Sequence, residues 1–225
     1  MLLELLQTNP VAFVVTVAPL MLAIVLHELG HAVAANAVGD PTARWMGRIT
    51  LNPLKHLDLF GSIALLLVGF GWAKPVPINP RNFRSYRSGL LIVSLAGIAV
   101  NLTLMAASIL ALRLLTGDVS MFTLNALAAH RPDLLNLAPA AVAPATALAW
   151  SAWINTILAV FNLMPVPPLD GSRVVQAVAP PAVGRGLLRL EQYGFLLVII
   201  ALIGFRQEIF SVVGVVLQIA VRLLG

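Results

Sequence analysis

Five charge-poor apolar stretches dominate this chain and decide what it can fold into. They run from about Val11 to Val38, Gly89 to Leu115, Ala140 to Leu163, Gly186 to Phe205 and Glu208 to Leu224. Each comes near the ~20 residues that an α-helix needs to cross the hydrocarbon layer of a bilayer. Of the 225 residues, 60% are hydrophobic and 10% are charged, against roughly 45–50% and 25% in an ordinary soluble domain. The outer surface must therefore be apolar as well as the core. The expectation is an all-α integral membrane protein with about five transmembrane helices, forming a single membrane-embedded domain over residues 1–225.

Two shorter features interrupt this pattern. The run Phe60 to Gly71 is too short to cross and is framed by Gly61, Gly69 and Gly71, so it reads as a short re-entrant segment. Arg48 to Leu51 and Trp72 to Asn79 read as extended, the second because its alternating prolines exclude helix. Together they predict a small β-hairpin-like element. In it Pro75 and Pro77 carry no donor, while the N–H groups of Val76 and Ile78 are expected to be open to an added strand. The first apolar stretch lacks a basic n-region and a small-residue cleavage site, so it is expected to be retained rather than removed as a signal peptide.

The formal net charge is +5. No Lys/Arg run interleaves with aromatics, which argues against nucleic acid as a partner; membrane topology explains the basic residues better. If all five stretches span, Arg44, Arg48, Lys55, Lys74, Arg81, Arg84, Arg87, Arg173, Arg185, Arg189 and Arg222 share one side, and Arg113, Arg131 and Arg206 the other, 11 against 3. The positive-inside rule then puts the first group in the cytoplasm and the N-terminus outside, as in a multi-pass protein of the cell (inner) membrane. Arg81, Arg84 and Arg87 read as a solvated run facing lipid headgroups. Trp150 and Trp153 read as interfacial anchors. The last stretch, with Glu208, Gln218 and Arg222, suits an interfacial helix as well as a span.

Absence of cysteine excludes disulfides, thiolate metal ligands and a thiol nucleophile. Any metal must be held by nitrogen and oxygen. Inside the first apolar stretch stands His27-Glu28-Leu29-Gly30-His31, an HExxH pattern that this composition yields by chance about once in a thousand such chains. Residues four apart share a helical face, so His27 and His31 can present imidazole nitrogens to one cation while Glu28 reaches its water. A catalytic zinc normally has a third protein ligand. Asp170 has the most suggestive setting among the carboxylates. It closes Asn162-Leu163-Met164-Pro165-Val166-Pro167-Pro168-Leu169-Asp170-Gly171, where three prolines must break the helix and Gly171 permits a turn. Asn162 and Asn101 either bond between helices or position a scissile peptide and its oxyanion. His56 and Asp58 offer a weaker second metal site and read more simply as structural.

HELGH and NLMPVPPLDG resemble the two signature motifs of the site-2 protease family of intramembrane zinc metalloproteases, the M50 peptidases. NPLKHLDLFGS and GWAKPVPINP resemble segments of its compact bacterial and archaeal branch, so the likeness covers about Ala23 to Arg173. Where that family carries G-P-x-x-N, this chain has Gly97-Ile98-Ala99-Val100-Asn101, keeping the glycine and the asparagine. Neither an inserted PDZ-like domain nor a soluble C-terminal regulatory domain is expected. The resemblance implies that His27, His31 and Asp170 bind Zn2+ and that Glu28 is the catalytic base. It also implies that the substrate is a transmembrane segment of another membrane protein, cleaved within the lipid bilayer; His27, eleven residues before the helix end assigned to the cytoplasm, puts the expected site nearer the cytoplasmic side. The alternatives are a non-proteolytic membrane scaffold of the same fold and a metal transporter.

Overall fold

A computed structural model describes residues 2–69 and 71–225; Phe70, within the expected re-entrant run, lies outside the described residues. The chain is built from α1 (Leu2–Thr8), α2 (Pro10–Val38), α3 (Thr42–Trp45), α4 (Leu59–Val68), α5 (Tyr86–Thr116), α6 (Met121–Ala128), α7 (Pro139–Asn162), α8 (Asp170–Val178), α9 (Pro181–Leu190), α10 (Gly194–Gly204) and α11 (Arg206–Leu224). Among the described residues five helical segments are long and apolar enough to cross a membrane: α2, α5, α7, the pair α9–α10 (Pro181–Gly204) and α11. A single 3₁₀ turn, Glu191–Tyr193, divides the fourth.

Local chemistry sets the ends of α2. Asn9 accepts from the Ala12 N–H at 3.0 Å and Pro10 occupies the first helical position, where no donor is missed. At the other end Gly39 adopts φ 116°, which lets Asp40 N–H close on Ala35 O at 2.9 Å. A residue with a Cβ resists that left-handed conformation, and the helix stops there.

Helix α5 is central, touching α2, α7 and α8. The face of α7 against it carries Ala145, Ala149, Ala152, Thr156 and Ala159, all buried, at spacings of three and four. Small residues let backbones approach closely where lipid gives no hydrophobic drive for association. Towards one end of the bundle Met105, Ile109, Leu112, Leu124 and Leu127 pack with Val213 and Leu217 of α11. Towards the other end the buried positions are His27, His31, Asn101, Asn155 and Asp170.

The expected β-hairpin-like element does not form. Among the described residues there is no strand, only an isolated antiparallel bridge between Leu57 and Ala73, with Lys74 N–H on His56 O at 2.9 Å. Pro75 and Pro77 have no donors for a ladder. Instead the Arg48 side chain reaches back to the carbonyls of Lys74 and Pro75. Segment 74–79 is thus an extended strap, anchored at its far end where Asn79 N–H donates to Asp40 Oδ2 at 2.7 Å. The run before it is the short helix α4, capped by Asp58 and ended at Gly69 with φ 76°. A Cβ on Gly61 would strike the backbone of Trp72, so the chain folds back tightly on α4.

The last two segments are arranged differently from a simple up-and-down series. Phe205 and Glu208 sit beside Leu163 and Met164 at the C-terminal end of α7, whereas Leu224 O accepts from Arg113 near the C-terminal end of α5 at 3.1 Å. Helix α11 therefore runs parallel to α5. Trp150 and Trp153 are not at a helix start either: Trp150 lies eleven residues into α7, about 16 Å at 1.5 Å per residue, and both indole N–H groups are buried.

Candidate metal centre

His27 and His31 stand one turn apart on α2, facing α5 at Gly97. A Cβ there would lie 2.7 Å from His27 Nδ1 and closer still to His31 Nε2, so only glycine leaves room for both rings. His27 Nδ1 donates to Asn101 Oδ1 at 2.6 Å and His31 Nδ1 donates to Val93 O at 2.8 Å. Because both acceptors are carbonyl oxygens, each ring carries its proton on Nδ1 and turns the lone pair of Nε2 inwards.

Asp170 meets those lone pairs from the far side of the bundle. α7 ends at Asn162, the prolines unwind the chain, and Asp170 opens α8. A Cβ on Gly171 would run into the carbonyls of Leu163 and Met164, so the turn can fold back this tightly only with glycine. Asp170 Oδ2 then lies 3.4 Å from His27 Nε2 and 3.0 Å from His31 Nε2, and the two Nε2 atoms are 3.0 Å apart. Tetrahedral bonds of ~2.0–2.1 Å would separate ligands by about 3.3 Å. Two inward lone pairs and a buried carboxylate oxygen without a hydrogen bond repel one another unless a cation lies between them. The residues present fit zinc, and among the described residues this is the one such cluster.

Glu28 lies a third of a turn round α2 and lines a cavity of about 140 Å³ with His27, His31, Val76, Asn162 and Asp170. Its Oε2 accepts the Val76 N–H at 2.9 Å. That corrects the expectation that this N–H is open to an added strand; the N–H of Ile78 has no partner among the described residues. Asn162 donates to Leu158 O at 3.0 Å and lines the same cavity. Of the two roles expected for Asn101, the structure shows the bond between helices. It is fully buried behind His27, with its Nδ2 donating to Asn155 Oδ1 at 2.8 Å, so it orients a ligand and does not face the cavity. His56 and Asp58 form no second centre: His56 Nε2 donates to Thr50 O at 2.9 Å, and Asp58 caps α4.

Sequence reasoning misses Asn155, Val93 and the contact between Val76 and Glu28. Asn155 is visible as a polar residue in an apolar stretch. The other two act through the backbone and leave no residue-type signal.

A centre of two histidines and one aspartate, built on HExxH and held within a bundle of membrane-length helices, defines a membrane-embedded metallohydrolase. The chain belongs to Peptidase family M50, which it matches over residues 15–205. It is similar to proteins named as zinc metalloproteases: YwhC of Bacillus subtilis (strain 168), 39% identical over 82% of this chain and 78% of the relative. Rip2 of Mycolicibacterium smegmatis is 30% identical over 85% of this chain and 67% of the relative. Rip2 of Mycobacterium tuberculosis (strain H37Rv) is 27% identical over 83% and 66%. No solved structure matches the chain. The protein is a multi-pass membrane zinc metalloprotease.

Proposed function

We propose that this protein is an intramembrane endopeptidase of the cell membrane. It hydrolyses peptide bonds in or near the transmembrane segments of other membrane proteins, from a centre nearer the cytoplasmic side. The observation that carries this reading is the depth of the metal cluster. His27 lies eleven residues before the end of α2 at Val38, about 16 Å along a helix rising 1.5 Å per residue. A peptide bond presented there is at membrane depth. A second cavity of about 300 Å³ shares His31, Asp170 and Arg173 with the catalytic one and continues to Tyr86 and Glu191, offering water a polar route. On another side, Trp72 and Ala73, just before the strap, line an apolar cavity of about 460 Å³ together with Ile24, Leu65 and Leu158. That lining suits an apolar substrate segment.

His27, His31 and Asp170 hold the metal. Zinc, when bound, supplies Lewis acidity that acidifies water and polarises a carbonyl. Glu28, with Oε2 held by Val76, uses Oε1 to take the proton of the attacking water and hand it to the leaving amide nitrogen. Asn162 lines the same cavity and orients the substrate backbone. An unwound substrate exposes N–H and C=O groups that are costly at membrane depth, and the unpaired Ile78 N–H on the strap is a partner for one of them.

The test is to reconstitute the purified protein in vesicles with a single-span membrane protein tagged at both ends and to weigh the products. Cuts inside or beside the apolar segment are expected. Zinc chelation, and Glu28→Gln with zinc retained, abolish them. Cleavage confined to soluble loops, or a Glu28→Gln variant with normal turnover, overturns the reading.

A further inference from the structure

Arg48 is a buried cation that the reaction above does not use. It is 5% exposed, and among the described residues it has no carboxylate partner. Its Nη1 donates to Pro75 O at 3.2 Å, its Nη2 to Lys74 O at 2.6 Å, and its Nε has no acceptor. Taking a guanidinium out of water costs more than two carbonyl bonds return, so a role beyond stability is called for.

Pro75 C=O and Val76 N–H belong to one peptide group. Among the described residues only Pro167–Pro168 is cis, so this peptide is trans and its C=O and N–H point to opposite sides. Arg48 holds the carbonyl side; on the other side the N–H donates to Glu28 Oε2 at 2.9 Å. Val76 is itself buried, packed with Ala32 and Ala43, so the peptide has little room to swing.

We infer that Arg48 is a positioning residue for Glu28. By gripping the Pro75 carbonyl it fixes the peptide whose N–H holds one carboxylate oxygen, and the other oxygen stays turned to the cavity. A cation on the carbonyl also polarises the peptide and strengthens the N–H as a donor. Arg48 does not line the catalytic cavity, so it reaches Glu28 through the strap, whose Lys74 and Pro75 carbonyls it holds. The inference rests on the reading of Glu28 as the base.

The experiment compares Arg48→Gln, Arg48→Lys, Val76→Pro and the double variant Arg48→Gln/Val76→Pro, with Glu28→Gln as reference, in the vesicle assay above. Arg48→Gln lowers kcat about 10–100-fold, the usual result of removing a group that orients an active-site partner. KM stays within about twofold, because substrate binding is not touched, and zinc content is unchanged. Arg48→Lys restores part of the rate. Val76→Pro deletes the N–H and gives a similar loss, and adding Arg48→Gln to it brings little more, since both act through one link. Fully multiplicative losses, a raised KM at normal kcat, or lost zinc each overturn the inference. Should Arg48→Gln fail to fold, Arg48→Lys and Val76→Pro carry the test, an undiminished kcat in Val76→Pro overturning it. An active Glu28→Gln overturns the base assignment and this inference with it. An inactive Glu28→Gln beside a fully active Arg48→Gln overturns this inference alone.

Discussion

His27 and Asn101 meet at 2.6 Å, and Asn101 in turn takes hold of Asn155 on α7. The chain continues from Asn155 Nδ2 to the carbonyl of Ser151, whose hydroxyl accepts from Ser108. The His27 ring on α2, a candidate metal ligand, is therefore aimed by a polar ladder that also joins α5 to α7. Such partners fix the ring and raise its basicity.

Asn101→Leu keeps the volume but removes the acceptor behind His27. Zinc affinity should fall about 10–100-fold, while the helical content and the apolar end of the bundle stay intact. Competition against a graded series of chelators measures this directly. Undiminished affinity would mean that packing alone orients the ring.

Gly97→Ala tests the space between α5 and the two imidazoles. The added methyl would sit 2.7 Å from His27 Nδ1, and no flexible side chain is there to give way. Zinc occupancy should be lost together with proteolysis. Gly214→Ala, which meets nothing within 4 Å, should leave both unchanged. Metal analysis of the two purified variants decides it.

The candidate ligands themselves are legible in the sequence because their geometry is local. His27 and His31 share a face by helical spacing, and the prolines before Asp170 force a break that returns a carboxylate to the bundle. The groups that hold them are not legible in this way. Asn101 and Asn155 are 54 positions apart and meet only because α5 crosses α7. Val93 contributes a carbonyl that any residue would offer. The hairpin expectation fails because extended backbone does not by itself imply strand pairing; here two donor-less prolines and the Arg48 side chain replace the ladder. The five apolar stretches are all found as helices, yet their periodicity carries no information on which way the last of them runs.

Asp40 ties the end of α2 to the strap and gives a pH-dependent handle on stability. Burial pushes its carboxyl up, but hydrogen bonds from the Thr42 hydroxyl, Asn79 N–H, the Asn82 amide and Thr42 N–H outweigh this and hold it below the ordinary 3.8. A depressed folded value adds stability that is fully present above the unfolded value and is lost as the pH falls through the folded one. Asp40→Asn should therefore destabilise the protein at pH 7, on the order of 1–3 kcal/mol for lost bonds to a charged group. The gap between variant and wild type should narrow below about pH 4. Thermal melts in detergent across pH 3–7 give the comparison, and a gap that widens on acidification would show the carboxylate to be unfavourable in the folded state.

The direction of α11 is a prediction that charge counting cannot make. Five successive up-and-down spans put Arg206 outside and Arg222 inside; the direction of α11 exchanges the two, and the balance remains 11 to 3 with Arg222 now counted on the side of Arg113 and Arg131. The positive-inside rule is equally satisfied by both arrangements. Contacts separate them. Val221 packs in one cluster with Val119, which follows the end of α5, and Leu224 O accepts from Arg113, while Glu208 lies beside Leu163 at the end of α7. Both ends of the helix are thus tied to opposite ends of the bundle. The chain has no cysteine, so single cysteines at the exposed positions 84, 131, 206 and 222 report cleanly. A membrane-impermeant thiol reagent applied to intact cells should label positions 131 and 222 and spare 84 and 206. Labelling of 206 in place of 222 would reverse α11, and labelling of 84 would invert the whole protein and move the catalytic centre to the external side.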